Sequence, residues 1–205
     1  MIRGLFSPSI RLPQPAANGP TGSAALLPES LIADLRTDHA GETGAVMIYR
    51  GILATSRDPA VRQFALAHLA TEEEHLAAIE PLLAPRQRSR LLPIWRVAGW
   101  LTGALPALVG PRAVYATIQA VETFVDEHYS EQIVSIDTID PDRARPPLQA
   151  LRALLVSCRA DEIEHRDEAG ALLSQDTAPS SAVLRLWVWS VGVGSHVAVG
   201  ICRRI

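Results

Sequence analysis

Read at every third and fourth residue, the chain carries four long apolar stripes with the period of helices that bury one face. The first runs Leu31, Leu35, Asp38, Glu42, Ala45, Tyr49, Ile52, and the second Val61, Ala65, His68, Glu72, His75, Ile79, Leu82. The third runs Tyr115, Ile118, Glu122, Val125, Tyr129, Gln132, Ile136, and the fourth Leu151, Leu155, Cys158, Glu162, His165, Ala169, Leu172. These predict an all-α chain whose four amphipathic helices pack into a bundle. Two further stretches, Leu91 to Val109 and Val183 to Ile201, are apolar almost all round and hold all four tryptophans, Trp95, Trp100, Trp187 and Trp189. The first 27 residues contain no acid, carry Arg3 and Arg11, and are rich in Pro, Gly and Ala. They read as a flexible leader, or as a cleaved targeting segment, ahead of one domain spanning 28–205.

Each stripe has an acid at its middle, with apolar residues on both sides. A carboxylate left unpaired there costs several kcal/mol, on the order given for buried ions, and a bound metal removes that cost. One such position could be an exposed charge on a misread stripe, but four aligned stripes argue against that reading. The acids fall into two sets, a lone Glu42 followed by Glu72-x-x-His75 and a lone Glu122 followed by Glu162-x-x-His165. Four carboxylates and two imidazoles, with Glu and His at i, i+3 on two of the helices, are the ligand set with which ferritin-like bundles hold two iron or manganese ions. Glu73, Glu74, Glu164 and Glu168 fall off the stripes and read as solvent-facing.

The two sets form an internal repeat. A tyrosine follows each lone Glu by seven residues, Tyr49 and Tyr129, so the chain reads as two copies of a helical hairpin related by a pseudo-twofold axis. The Glu-to-Glu interval is longer in the second copy, and the Pro- and Asp-rich stretch from Asp137 to Pro147 reads as a longer loop.

Length and composition narrow the function classes. At 205 residues and 48% hydrophobic, the chain buries a full core without disulfides. Cys158 and Cys202 show neither metal nor redox spacing, and Cys158, on the inner stripe, reads as a buried inert thiol. A net charge of −3 announces no nucleic-acid surface. All 19 basic residues are Arg, a bias that a GC-rich bacterial genome produces. The two tryptophan-bearing segments are interrupted by Arg96, Pro106, Arg185 and His196, so they fit helices lying at a membrane interface better than spans; extra core helices are the alternative. His196 has no metal-ligand partner at helical spacing and reads as structural or exposed.

With these residues in place, the chain from about Leu31 onward resembles the demethoxyubiquinone hydroxylase family. The resemblance rests on DHAGETGA at Asp38 to Ala45, the Glu72/His75 pair in TEEEH, ETFVDEHYSEQI at Glu122 to Ile133, and DEIEH at Asp161 to His165. The His128-Tyr129 pair and the apolar insertion between the hairpins are more specific to this family than the ligands. The leader has no counterpart, and the final helix matches in character more than in residues.

The resemblance implies a ferritin-like bundle built from two hairpins with two apolar membrane-interface helices. It implies two iron ions, with Glu42 and His75 serving one, Glu122 and His165 the other, and Glu72 and Glu162 bridging. His128 and Tyr129 would lie near the metals and the quinone as catalytic residues; on the stripes alone, Tyr129 points inward and His128 sits one position off. Asp38 and His68 are candidates for orienting ligands by hydrogen bonds. The implied enzyme is an O2-dependent monooxygenase that hydroxylates the ring of a polyprenyl-methyl-methoxy-1,4-benzoquinol in ubiquinone biosynthesis. A polyprenyl tail holds its substrate in the bilayer at ~0.8 kcal/mol per buried CH2, so the apolar segments are expected to frame a channel from lipid to metal. The expected location is the cytoplasmic face of a bacterial inner membrane, with the matrix face of the mitochondrial inner membrane as the alternative. Expected partners are the polyprenylated quinol, the lipid surface, and a second copy or other ubiquinone-biosynthesis proteins, with no nucleic acid. No nicotinamide or flavin fingerprint is present, leaving a partner protein, the quinol itself, or NADH bound without a nucleotide fold as reductant. The rival readings are a ferritin-like iron-oxidising or storage protein, a di-iron tRNA hydroxylase without the basic surface it needs, and a purely structural membrane-attached bundle.

Overall fold

A computed structural model describes residues 27–175 and 181–205, and these contain six α-helices and no strand. They are α1 (Glu29–Thr55), α2 (Pro59–Ile79), α3 (Leu92–Val109), α4 (Pro111–Ile139), α5 (Pro146–Ser174) and α6 (Ala182–Cys202). Of the expected leader only Leu27 is described, packed part-buried against the lower core; residues 1–26 lie outside the described range.

The four predicted stripes become α1, α2, α4 and α5, two antiparallel hairpins. The first turns tightly at Asp58, whose side chain accepts from the backbone N–H of Ala60 and Val61 while Pro59 opens α2 without wasting a donor. The second turn is shorter than the expected Asp137–Pro147 loop, because α4 continues to Ile139 and α5 already begins at Pro146. Asp137 stays helical and is held by Arg152, at 2.8 Å from its Nε, and Pro146 and Pro147 occupy the first turn of α5, where proline is tolerated. The extra length of the second hairpin is therefore shared between its loop and longer helices.

Helix α3 carries the chain back along the bundle so that the second hairpin can start at the opposite end. It runs parallel to α1 and packs on it more extensively than any other helix. The contact is backbone on backbone: a Cβ at Gly103 would collide with the Ile48 carbonyl, and one at Gly99 with the Gly44 carbonyl. Gly110, at φ 140°, then reverses the chain directly into α4, a conformation open to glycine and costly for other residues.

The core is split in two. Below lie Leu31, Leu35, Ile79, Ile136, Leu148 and Leu155, and above lie Tyr49, Ile52, Val61, Phe64, Ala65 and Ile118. The ligand candidates occupy the layer between. Helix α6 lies across α4 and α1, and among its residues only Cys202 is fully buried. One pin is Trp187, whose indole N–H donates to Thr117 Oγ1 at 2.9 Å. The other is the Arg203 guanidinium, bonded to the buried Asp34 carboxylate from Nε at 2.8 Å.

Candidate metal centre

All six predicted ligands meet in the middle layer, each at most 5% exposed. Their donor atoms form two overlapping sets, Glu42, Glu72, His75 and Glu162, and Glu72, Glu122, Glu162 and His165, the atoms of each within 4.8 Å of one another. Glu72 and Glu162 belong to both sets.

The repeat seen in sequence is a repeat in space. His75 Nδ1 lies 3.1 Å from Glu162 Oε1, and His165 Nδ1 lies 3.2 Å from Glu72 Oε1, each imidazole facing the other hairpin's carboxylate. The two tyrosines cross over likewise. Tyr49 donates to Glu122 at 3.0 Å, and Tyr129 donates to Glu42. Each lone glutamate is thus held by the tyrosine of the opposite hairpin.

This cluster has the chemistry of a cation site. Six of its atoms, Glu42 Oε2, both Glu72 oxygens, Glu162 Oε2, His75 Nδ1 and His165 Nδ1, are buried and make no hydrogen bond; the close His–Glu approaches lack hydrogen-bond geometry. Orphaned polar atoms are rare in folded interiors, and here they converge on one point. Protons take up the strain electrostatically in the metal-free state. Burial, then the neighbouring Glu72, raises Glu42 well above the usual carboxylate range, and burial with Glu162 does the same to Glu122. Burial opposes charge on His165, but the Glu162 and Glu72 carboxylates outweigh it and push the imidazole up to about 11. Burial would raise Glu162 too, yet His165 and His75 hold it at about 2.

The surrounding residues differ between the halves. His75 turns Nε2 toward Asp161, 3.1 Å away, an orientation that fixes which nitrogen faces the carboxylates. His165 instead has His68 edge-on, with ring centroids 4.0 Å apart, and His68 is held by Glu168 at 2.9 Å. Glu168 is exposed, as its off-stripe position predicts, and still reaches His68; Asp161 had no predicted role, and the Asp directly preceding Glu-x-x-His was the available signal for it. Glu73, Glu74 and Glu164 are exposed as expected.

His128 is brought in by the bundle. Its Nε2 lies 3.2 Å from Asp38 Oδ1, 3.0 Å from Thr37 Oγ1 and 2.8 Å from Gln132 Nε2. Asp38 therefore orients His128 and Gln132 rather than a ligand carboxylate. His196 is exposed and meets Phe124 edge-on, centroids 4.7 Å apart.

A cavity of about 460 Å³ runs between α1, α3, α4 and α6. Its floor includes Glu42, Glu72, Glu122 and Glu162, His128 and Tyr129 stand at one side, and the remaining wall is largely apolar. A second cavity of about 500 Å³, on the outer side of α3 and α6, shares Trp95, Ser190, Gly194 and Ala198 with the first. The seam between these two helices is thus all that separates the outer apolar face from the inner cavity.

Comparison with known proteins agrees with this architecture. The family model described as "Ubiquinone biosynthesis protein COQ7" matches residues 29–202. A Rhodospirillum rubrum protein named 3-demethoxyubiquinol 3-hydroxylase is 37% identical over 174 residues, covering 83% of this chain and 76% of the relative. A human protein named NADPH-dependent 3-demethoxyubiquinone 3-hydroxylase, mitochondrial, is 33% identical over 177 residues, with the same two coverages. The duplicated hairpin, the crossover helix and the ligand layer all lie inside the matched span, and the chain belongs to the demethoxyubiquinone hydroxylase family of ubiquinone biosynthesis.

Proposed function

We propose that this chain is an O2-dependent hydroxylase acting on the ring of a polyprenylated demethoxyubiquinol, with two iron ions held by Glu42, Glu72, His75, Glu122, Glu162 and His165. The observation that carries this reading is the convergence of orphaned carboxylate and imidazole atoms in one buried cluster, whose glutamates line the floor of an apolar cavity. Carboxylate with imidazole suits iron, and iron bound there would supply the O2 activation that no side chain of the protein can provide.

The chain's own residues do the rest. Tyr49 and Tyr129 hold the Glu122 and Glu42 carboxylates in place through their hydroxyls. His128, fixed by Asp38, Thr37 and Gln132, presents an imidazole to the cavity that can take a hydrogen bond from a quinol hydroxyl and orient the ring. The apolar wall excludes water from the reacting carbon. A cavity of this size lies within the ~300–1,000 Å³ usual for small-molecule sites and suits a ring with the first part of its tail. A longer tail leaves through the α3–α6 seam toward the outer groove.

The exposed apolar faces of α3 and α6 support docking at a membrane. Both helices are long and apolar enough to cross a bilayer, yet α3 packs lengthwise on α1, backbone to backbone at Gly44, Ile48 and Gly51, so spanning would drag charged bundle surface into hydrocarbon. Lying in the interface avoids that cost. Which membrane face is used belongs to the same proposal, with the cytoplasmic side of a bacterial inner membrane as the reading favoured by the all-arginine composition. The human relative is named NADPH-dependent, and we carry a reduced nicotinamide over as the electron source.

The test is metal analysis and single-turnover hydroxylation of a short-chain demethoxyquinol by the anaerobically reduced protein, beside Glu162→Ala. Two irons per chain and oxygen-dependent product, both lost in the variant, support the hydroxylase. Iron with O2 consumption and no hydroxylated quinol would replace it with a ferritin-like oxidase, and absence of metal binding would remove the reading altogether.

A further inference from the structure

The chain segments flanking the apolar helices converge at one end of the bundle. Trp95 of α3 lines the outer groove together with Ala198 and Ile201 of α6. Arg36 of α1 donates to the Gln87 carbonyl at 2.6 Å and to the Arg203 carbonyl at 3.2 Å. Cys202 Sγ is 3.6 Å from Ser89 Oγ. The approach to α3 and the end of α6 are therefore one surface.

That surface is rich in arginine. Arg88 is spoken for by Glu80, Arg203 by Asp34, and Arg36 by backbone carbonyls. Arg86, Arg90, Arg96 and Arg204 are exposed and form no ion pair among the described residues. In sequence they precede, interrupt or follow two outward apolar stripes at helical spacing, Ile94, Val97, Leu101 and Leu105 on α3 and Leu186, Val193, Val197 and Ile201 on α6, all exposed. An apolar face rimmed by unpaired guanidinium groups matches a bilayer surface whose headgroups carry negative phosphate. A neutral surface, or a second copy presenting the same arginines, would leave these charges unmatched.

We infer that Arg86, Arg90, Arg96 and Arg204 form a docking site for the phosphates of anionic phospholipids, which sets the pose of the enzyme with the α3–α6 seam against the acyl region. This deepens the membrane reading above and rests on it. Guanidinium groups suit phosphate because they offer forked donors. Placed at the start of α3 and the end of α6, they grip headgroups while the stripes between sink into the acyl boundary.

The experiment is co-sedimentation of the metal-loaded full chain with phosphatidylcholine vesicles and with vesicles containing phosphatidylglycerol. The same is done for Arg90→Gln/Arg96→Gln, the variant with all four arginines changed, and a matched control, Arg57→Gln/Arg145→Gln. Wild type is expected to favour the anionic vesicles and to release from them as salt rises. Each arginine removed is expected to weaken that partitioning about fivefold, while the control keeps it and binding to neutral vesicles is unchanged. Because the four side chains are exposed and form no ion pair among the described residues, thermal melting should barely move. Equal wild-type binding to both vesicle types overturns the inference while leaving the membrane reading intact, as does an unchanged four-arginine variant. Failure to bind either vesicle overturns both.

Discussion

Asp161 shows how a single residue tunes a ligand it does not replace. Its carboxylate accepts from the outer nitrogen of His75, so the inner nitrogen is kept pointing at Glu162. Asp161→Asn should weaken metal binding about 10- to 100-fold, read by chelator competition, with helix content unchanged because the side chain is 44% exposed. Protonation gives a second prediction at this scale. In the metal-free protein Glu42 and Glu122 titrate above their ordinary 4.5, and His165 is up at about 11. Groups raised in the folded state stabilise it below their unfolded values and lose that contribution as pH climbs through the folded ones. Glu162, held at about 2, has the opposite sign but acts only in acid. His68, which burial lowers to about 3, also opposes the trend, but only below its ordinary 6.5, so between about pH 6.5 and 8 the metal-free protein should melt lower as pH rises. Metal affinity should rise over the same window, since Glu42, Glu122 and His165 must give up protons to bind a cation, and calorimetry in buffers of different ionisation enthalpy reads the protons released.

Among the elements, α3 is the one whose position depends on missing side chains. Gly103→Ala drives a methyl into the Ile48 carbonyl of α1, and backbone cannot yield as a flexible side chain does. A loss of roughly 1–3 kcal/mol is expected, of the size seen for overpacked cores, and visible as a lower denaturation midpoint. Gly192 on α6 has nothing near its would-be Cβ, so Gly192→Ala should stabilise by about 0.5–1 kcal/mol through helix propensity alone. The four bundle helices and the meeting of the six candidate ligands in one layer were legible because burial on one face forces a 3.6-residue period and the acids interrupt it at matching points. The α1–α3 contact was not, since glycines in an apolar segment announce flexibility or close approach equally. Nor was the Arg203–Asp34 pin, which joins residues far apart in sequence and leaves no periodic trace. His128 lay between these cases: its place beside Tyr129 was visible, but its approach to Asp38 required knowing how α1 and α4 are aligned.

For the molecule as a whole, the ligand layer is a weakness that function requires. Four carboxylates are buried between two apolar half-cores, and without a cation they repel one another. Replacing one should help the empty protein: metal-free Glu122→Gln, which keeps an acceptor for Tyr49, is expected to melt above metal-free wild type. With iron added the order should reverse, because only wild type gains binding energy on loading. Differential scanning calorimetry of both proteins, with and without iron, checks the crossing.

The sharing of Glu72 and Glu162 between the two ligand sets has a mechanical side. Each position draws on both hairpins, so neither half of the chain is a complete chelator. Ions seated there would act as a cross-link between residues some 120 positions apart, from Glu42 to Glu162, restricting the unfolded chain as a long-loop disulfide does. Both cysteines are free and buried. Such a tie between the hairpins would follow metal supply, and the thiol balance of the compartment would leave it untouched.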